Sequence, residues 1–130
     1  MKLAVDTNVL VRYLTWDDET QARAARDHIE SADAIAVSTV VLCETVWVLK
    51  RAYRYSGAEI AETLAGVIHS RNVETDQPAA GAGLRMLARG GDFADGVIEH
   101  EAIRAGCDRL ATFDETFEKL LMPSLSRSRR

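Results

Sequence analysis

Met1-Lys2-Leu3-Ala4-Val5-Asp6-Thr7-Asn8-Val9-Leu10-Val11 is the stretch from which the fold is read. Leu3, Ala4 and Val5 make a short apolar strand, and Asp6, Thr7 and Asn8 are residue types whose side-chain oxygens accept from the free amides of a helix's first turn. A carboxylate is therefore expected at the carboxyl end of a strand, the edge of an open α/β sheet at which ligands bind. Taken alone, Asp6 reads first as a helix cap. Acids at comparable places further along the chain give it a second meaning.

Working outward, an almost wholly apolar helix is expected over residues 8–14, largely buried, and an amphipathic one over 17–31 with Ala22, Ala25 and Ile29 inward. A second strand, 34–37, runs into Ser38-Thr39 and then an apolar helix over 40–53 that contains Glu44. A carboxylate buried there needs a cation or donors, unless it lies on an exposed polar stripe. Ser56-Gly57-Ala58-Glu59 has the form of a capping box for a helix reaching about residue 69, with Ile60, Leu64, Val67 and Ile68 as its apolar face. Residues 72–75 read as a third strand. Pro78 opens a helix to residue 88, with Leu84, Leu87 and Ala88 inward and Gly81 and Gly83 weakening it. Asp92, Asp95 and Glu99 then stand at i, i+3 and i+7 of a sixth helix, on one face near its positive end, although Asp92 and Asp95 also suit simple capping roles. Residues 109–112 are expected as a fourth strand, which would place Asp114 just past a strand end as Asp6 is, before a short helix over 115–121. Strands alternating with helices imply a parallel sheet joined by right-handed crossovers.

The 130 residues, 47% hydrophobic and 28% charged, suit one globular domain, taken as 1–121, followed by a basic flexible tail over 122–130. A net charge of −4 argues against a protein that wraps nucleic acid on a basic surface, but is compatible with a nuclease whose carboxylates hold divalent cations. Cys43 and Cys107 are far apart and read as buried free thiols, which fits a reducing cytoplasm. Asp6 and Asn8 interrupt any signal peptide, and no apolar run nears the ~20 residues of a membrane helix. The glycines form neither a P-loop nor a dinucleotide fingerprint. Cys43 and His100 make no nucleophile pair, and His28, on a water-facing surface, has no second ligand at metal spacing.

Four acids remain, Asp6, Glu44, Asp95 and Asp114, from strand ends and helices that a doubly wound sheet would bring to one edge. Gathered carboxylates repel unless a cation neutralises them, and an all-oxygen set selects Mg²⁺ or Mn²⁺ over zinc. In their order, Val5-Asp6-Thr7-Asn8, Glu44 within an apolar helix, Asp92-Phe93-Ala94-Asp95 with Ile98, and Thr112-Phe113-Asp114 with Phe117 resemble the PIN-domain ribonucleases, most closely the VapC toxins of type II toxin–antitoxin modules. The resemblance spans about residues 1–121. It implies a PIN-like three-layer α/β sandwich, with a central parallel sheet of four or five strands flanked by helices.

The same resemblance implies catalytic carboxylates at Asp6, Glu44, Asp95 and Asp114. Metal ligands fall on Asp6, Asp95 and Asp114 with Asp92 as a secondary one, and Asn8 and Thr112 position the acids. It further implies a Mg²⁺-dependent endoribonuclease, with Mn²⁺ as a substitute, that cuts RNA, forms a homodimer and is silenced by a cognate antitoxin. Trp16 and Trp47 are candidate anchors for that antitoxin, with the core or a dimer interface as the alternative for Trp47. The chain departs from the family where Leu120-Leu121-Met122-Pro123 leads into the Ser/Arg segment in place of a final edge strand, and at Gly96, which weakens the helix behind the third acid. Two other classes fit the sequence less well. A receiver-like phospho-acceptor is disfavoured because Lys2, Lys50 and Lys119 do not suit its lysine, and an inactive PIN-fold binding module because the acid set is complete.

Overall fold

The computed structural model describes residues 1–126. The chain divides into two compact units, Met1–Asp76 and Gln77–Arg130.

The first unit runs β1 (Lys2–Ala4), α1 (Thr7–Thr15), α2 (Glu19–Ser31), β2 (Ala34–Ala36), α3 (Thr39–Arg51), α4 (Gly57–Ile68) and β3 (Val73–Glu74). The strands form a parallel sheet in the order β1-β2-β3, with Leu3 opposite Ile35 and Ile35 opposite Val73. Parallel neighbours need a crossover, and the helices between the strands supply it. α1, α3 and α4 begin at the caps their sequence promised, Asp6 and Ser38 each accepting an amide of the first turn and Ser56 and Glu59 completing a reciprocal capping box, while α2, expected from residue 17, begins after Asp18 as its cap. α1 packs against α2 and α3, and α3 against α4. Leu10, Val11, Leu42, Val46, Leu49, Ile60, Leu64 and Ile68 are buried. The expectation that α1 is largely buried holds only for Leu10 and Val11, because a helix packed on two neighbours keeps a third side open.

Far-apart segments of this unit are tied by one polar knot. Asp17, in the α1–α2 turn, accepts from Arg12 at 3.0 Å and from the Tyr53 hydroxyl, and Arg12 donates to Gln21 at 2.6 Å. The Tyr53 hydrogen bond is the chief cause holding the Asp17 carboxyl below its ordinary pKa.

The second unit comprises α5 (Gln77–Ala88), α6 (Phe93–Arg104), α7 (Glu115–Leu120) and α8 (Pro123–Ser126). α5 and α6 pack tightly through small residues. A Cβ on Gly83 would lie 2.5 Å from the Phe93 ring, and one on Gly96 would strike the Ala82 carbonyl and sit 2.7 Å from Met86 Cβ. Gly83 and Gly96 therefore act as contact points between two helices, a packing role beside the helix weakening expected of them. The buried face of α5 is Ala79, Ala80, Ala82, Gly83 and Met86, whereas Leu84 and Leu87 are half-buried and Ala88 exposed. Close helix approach selects small side chains, and that overrode the leucine pattern.

Three further corrections concern the sheet, the tail and a thiol. Among the described residues the sheet has three strands, short of the expected four or five. Residues 109–112 are not a strand, since so short a run becomes one only where a neighbour completes its ladder of hydrogen bonds. The expected tail overlaps α8, where Leu125 is buried against Met86, Phe117 and Leu121. The remainder of that tail, 127–130, lies outside the described residues. Cys107 is exposed and Cys43 intermediate, so neither is a fully buried thiol.

Candidate active site

In the first unit, the chain leaves β1 and turns into α1 at Asp6, whose backbone is still extended. One of its carboxylate oxygens accepts from the Val9 amide at 3.0 Å. The capping role is thus real, and it fixes the orientation of an exposed carboxylate. Thr7 follows at the first helical position and donates its hydroxyl to Glu44 Oε1 at 2.6 Å. Glu44 is exposed on α3, so the exposed reading of this residue is the right one and its carboxylate needs no buried counter-charge. Asp6, Thr7, Asn8, Glu44, Trp47 and Val48 line one cleft of about 480 Å³. Thr7 is not legible in the sequence as a partner of Glu44, because the two lie 37 residues apart. Its place next to Asp6 was the available signal.

In the second unit, Asp92 occupies the N-cap of α6 but makes no side-chain capping bond, which leaves its exposed carboxylate uncommitted to the helix. Asp95 lies in the first turn. Its carboxyl is pushed above the ordinary aspartate range by burial first, then by the charges of Asp92 and Asp114. Asp114 caps α7 through the Phe117 amide at 3.1 Å, and its own backbone N–H donates to Thr112 Oγ1 at 3.0 Å. Thr112 thereby shapes the turn from which Asp114 projects.

Glu99 does not belong with these acids. It is 4% exposed, accepts from Arg89 at 3.1 Å, and takes the Met122 amide at 2.7 Å. Its spacing from Asp95 is that of one helical face, but a buried carboxylate requires donors, and Arg89 and the chain ahead of α8 provide them.

The donors suit a hard divalent cation. All are carboxylates, and the repulsion focused on Asp95 is the kind a cation relieves. Among the described residues, no group of three or more His, Cys, Asp and Glu side chains is gathered as an ion site in its present arrangement. Also among the described residues, no helix is long and apolar enough to cross a membrane.

A parallel sheet with crossover helices defines an α/β protein, with a carboxylate at the start of α1 in the first unit and others at the starts of α6 and α7 in the second. The family model of the PIN domain matches residues 3–120, and the chain belongs to the PIN-domain family. The resemblance to PIN domains read from the ordered motifs is borne out. Among solved structures, one similar to this chain is VapC20 of Mycobacterium tuberculosis, described as a sarcin-ricin loop cleaving toxin. It is 18% identical over 92% of this chain and 94% of that one, with a TM-score of 0.46. No curated protein matches the sequence.

Proposed function

We propose that this protein is a metal-dependent endoribonuclease and the toxin of a type II toxin–antitoxin module. Membership of the PIN-domain family over residues 3–120 carries this reading. The ordered acid motifs support its finer parts. Asp6, Glu44, Asp95 and Asp114 are the catalytic carboxylates. Asp6, Asp95 and Asp114 are metal ligands, with Asp92 as a secondary one, and Asn8 and Thr112 are positioning residues.

When bound, Mg²⁺ or Mn²⁺ supplies Lewis-acid chemistry, lowering the pKa of a water and offsetting charge that develops on a phosphodiester. The chain's own residues set the stage. The Val9 amide fixes one oxygen of Asp6, and Thr7 holds Glu44 by its hydroxyl. Asp95, whose proton is retained more firmly than that of an ordinary aspartate, is the group whose charge a cation would most help. RNA is the substrate, with single-stranded loops favoured because unstacked bases can be splayed into a cleft. A cognate antitoxin and a homodimer complete the assignment, and the cytoplasm is its compartment.

The test is cleavage of total cellular RNA by the purified protein, with sites mapped by end sequencing. Cutting should stop in excess EDTA, return with Mg²⁺ or Mn²⁺, and fall by at least about 100-fold in Asp6→Asn, Asp95→Asn and Asp114→Asn, with folding unchanged by circular dichroism. Asp92→Asn should be milder. Wild-type cleavage in EDTA, or by Asp95→Asn, would overturn the assignment.

A further inference from the structure

We infer that Trp47 is a stacking platform for a nucleobase of the RNA, so that the cleft it shares with Asp6 and Glu44 is a nucleotide subsite beside those carboxylates. This rests on the ribonuclease reading above.

Val40, Glu44, Trp47 and Arg51 are spaced by four, three and four residues, and so project from one face of α3. That face is open. Val40 is 67% and Trp47 59% exposed, although α3 has buried Leu42, Val46 and Leu49 elsewhere on its surface. An indole left in solvent at that level contributes little to a core. It does contribute to a cleft: with Val48 it forms the apolar wall of the 480 Å³ space whose polar side is Asp6, Thr7, Asn8 and Glu44. A volume of that order fits a small-ligand site.

The occupant is chosen by charge as well as shape. The Arg51 guanidinium lies over one face of the Trp47 ring, 5.2 Å from its centroid, and Lys50 is an exposed neighbour in sequence, so the aromatic surface carries cations with it and leaves its other face for a base. An aromatic face beside cations and a carboxylate cluster suits a chain of alternating flat bases and phosphates. The base stacks on the indole, the cations meet a flanking phosphate, and the sugar–phosphate next to the base lies toward Asp6 and Glu44. A protein segment with apolar anchors would use the indole too, but would gain less from Lys50 and Arg51.

The experiment uses full-length protein carrying Trp16→Phe, which leaves Trp47 as its one indole, and Asp95→Asn to prevent cutting. A single-stranded oligoribonucleotide of about 12 nucleotides is titrated in and fluorescence followed. Saturable quenching is expected, and Trp47→Ala, with binding read by anisotropy of labelled RNA, should weaken affinity by about 5- to 150-fold, as loss of one stacked base does. Trp47→Phe should recover most of it. In otherwise wild-type protein, Trp47→Ala should raise KM more than it lowers kcat, because stacking serves ground and transition states alike.

RNA binding that neither quenches Trp47 nor depends on it would overturn the subsite while leaving the ribonuclease reading standing. No RNA binding by any variant would overturn both. A change of oligomeric state in Trp47→Ala, by light scattering, with RNA affinity unaltered, would assign the face to a protein contact and overturn the subsite.

Discussion

Asp95 is held where ionisation is costly, partly buried and facing the charges of Asp92 and Asp114. Its folded-state pKa is raised, so the native protein binds this proton more tightly than the unfolded chain, whose value is about 3.8. The sign follows from linkage: at neutral pH the ionised Asp95 detracts from stability, and acidification through the raised pKa removes that penalty. Asp95→Asn in EDTA is therefore expected to raise Tm at neutral pH, with the gain shrinking as pH falls into the carboxylate range. Added Mg²⁺ should reverse the order, since ligand binding to the native state stabilises only the protein that retains its ligand. Thermal melts across pH, with and without Mg²⁺, check both; equal Tm values throughout would count against a strained acid cluster. Asp17 is the opposite case, a carboxylate whose pKa the Tyr53 hydroxyl lowers, so its contribution is present above the ordinary aspartate range and lost on acidification.

At the scale of elements, two glycines of similar appearance have opposite meanings. Gly66 in α4 has open space where a Cβ would go, whereas Gly96 in α6 abuts the backbone of α5. Gly66→Ala is expected to stabilise by up to about 1 kcal/mol, through helix propensity alone. Gly96→Ala should destabilise by about 1–3 kcal/mol, because α5 and α6 must move apart. Urea unfolding of the two variants tests the pair, and stabilisation by Gly96→Ala would mean that α5 and α6 are less closely packed than described. Arg89 and Glu99 belong to this scale as well. Their ion pair, with the Met122 amide on the second Glu99 oxygen, ties α5 and α6 to the chain leading into α8.

For the whole molecule, the expected partner follows from the toxin assignment. The neighbouring gene should encode a small protein with a DNA-binding part and a tail carrying apolar residues and a basic one, able to seat against apolar walls and reach carboxylates. Co-expression is expected to suppress both growth arrest and RNA cleavage. A neighbouring product that neither binds this chain nor protects cells would favour a PIN nuclease with another cellular role.

Local chemistry made most of the elements legible from sequence. Asp6, Ser38, Ser56 with Glu59, and Asp114 mark helix starts because a cap depends on amides only two or three residues away. The ordered acids pointed to the family for the same reason, since each is fixed to the start or face of its own element. Partners distant in sequence were decided by tertiary structure alone. Thr7 meeting Glu44, Asp17 meeting Tyr53, and Glu99 turning inward to Arg89 depend on packing that no local pattern encodes. The buried face of α5 likewise followed from how closely α6 approaches, which favoured Gly83 over Leu84. Residues 109–112 have a strand's composition, but a strand is a property of its hydrogen-bonded neighbour as much as of its own residues.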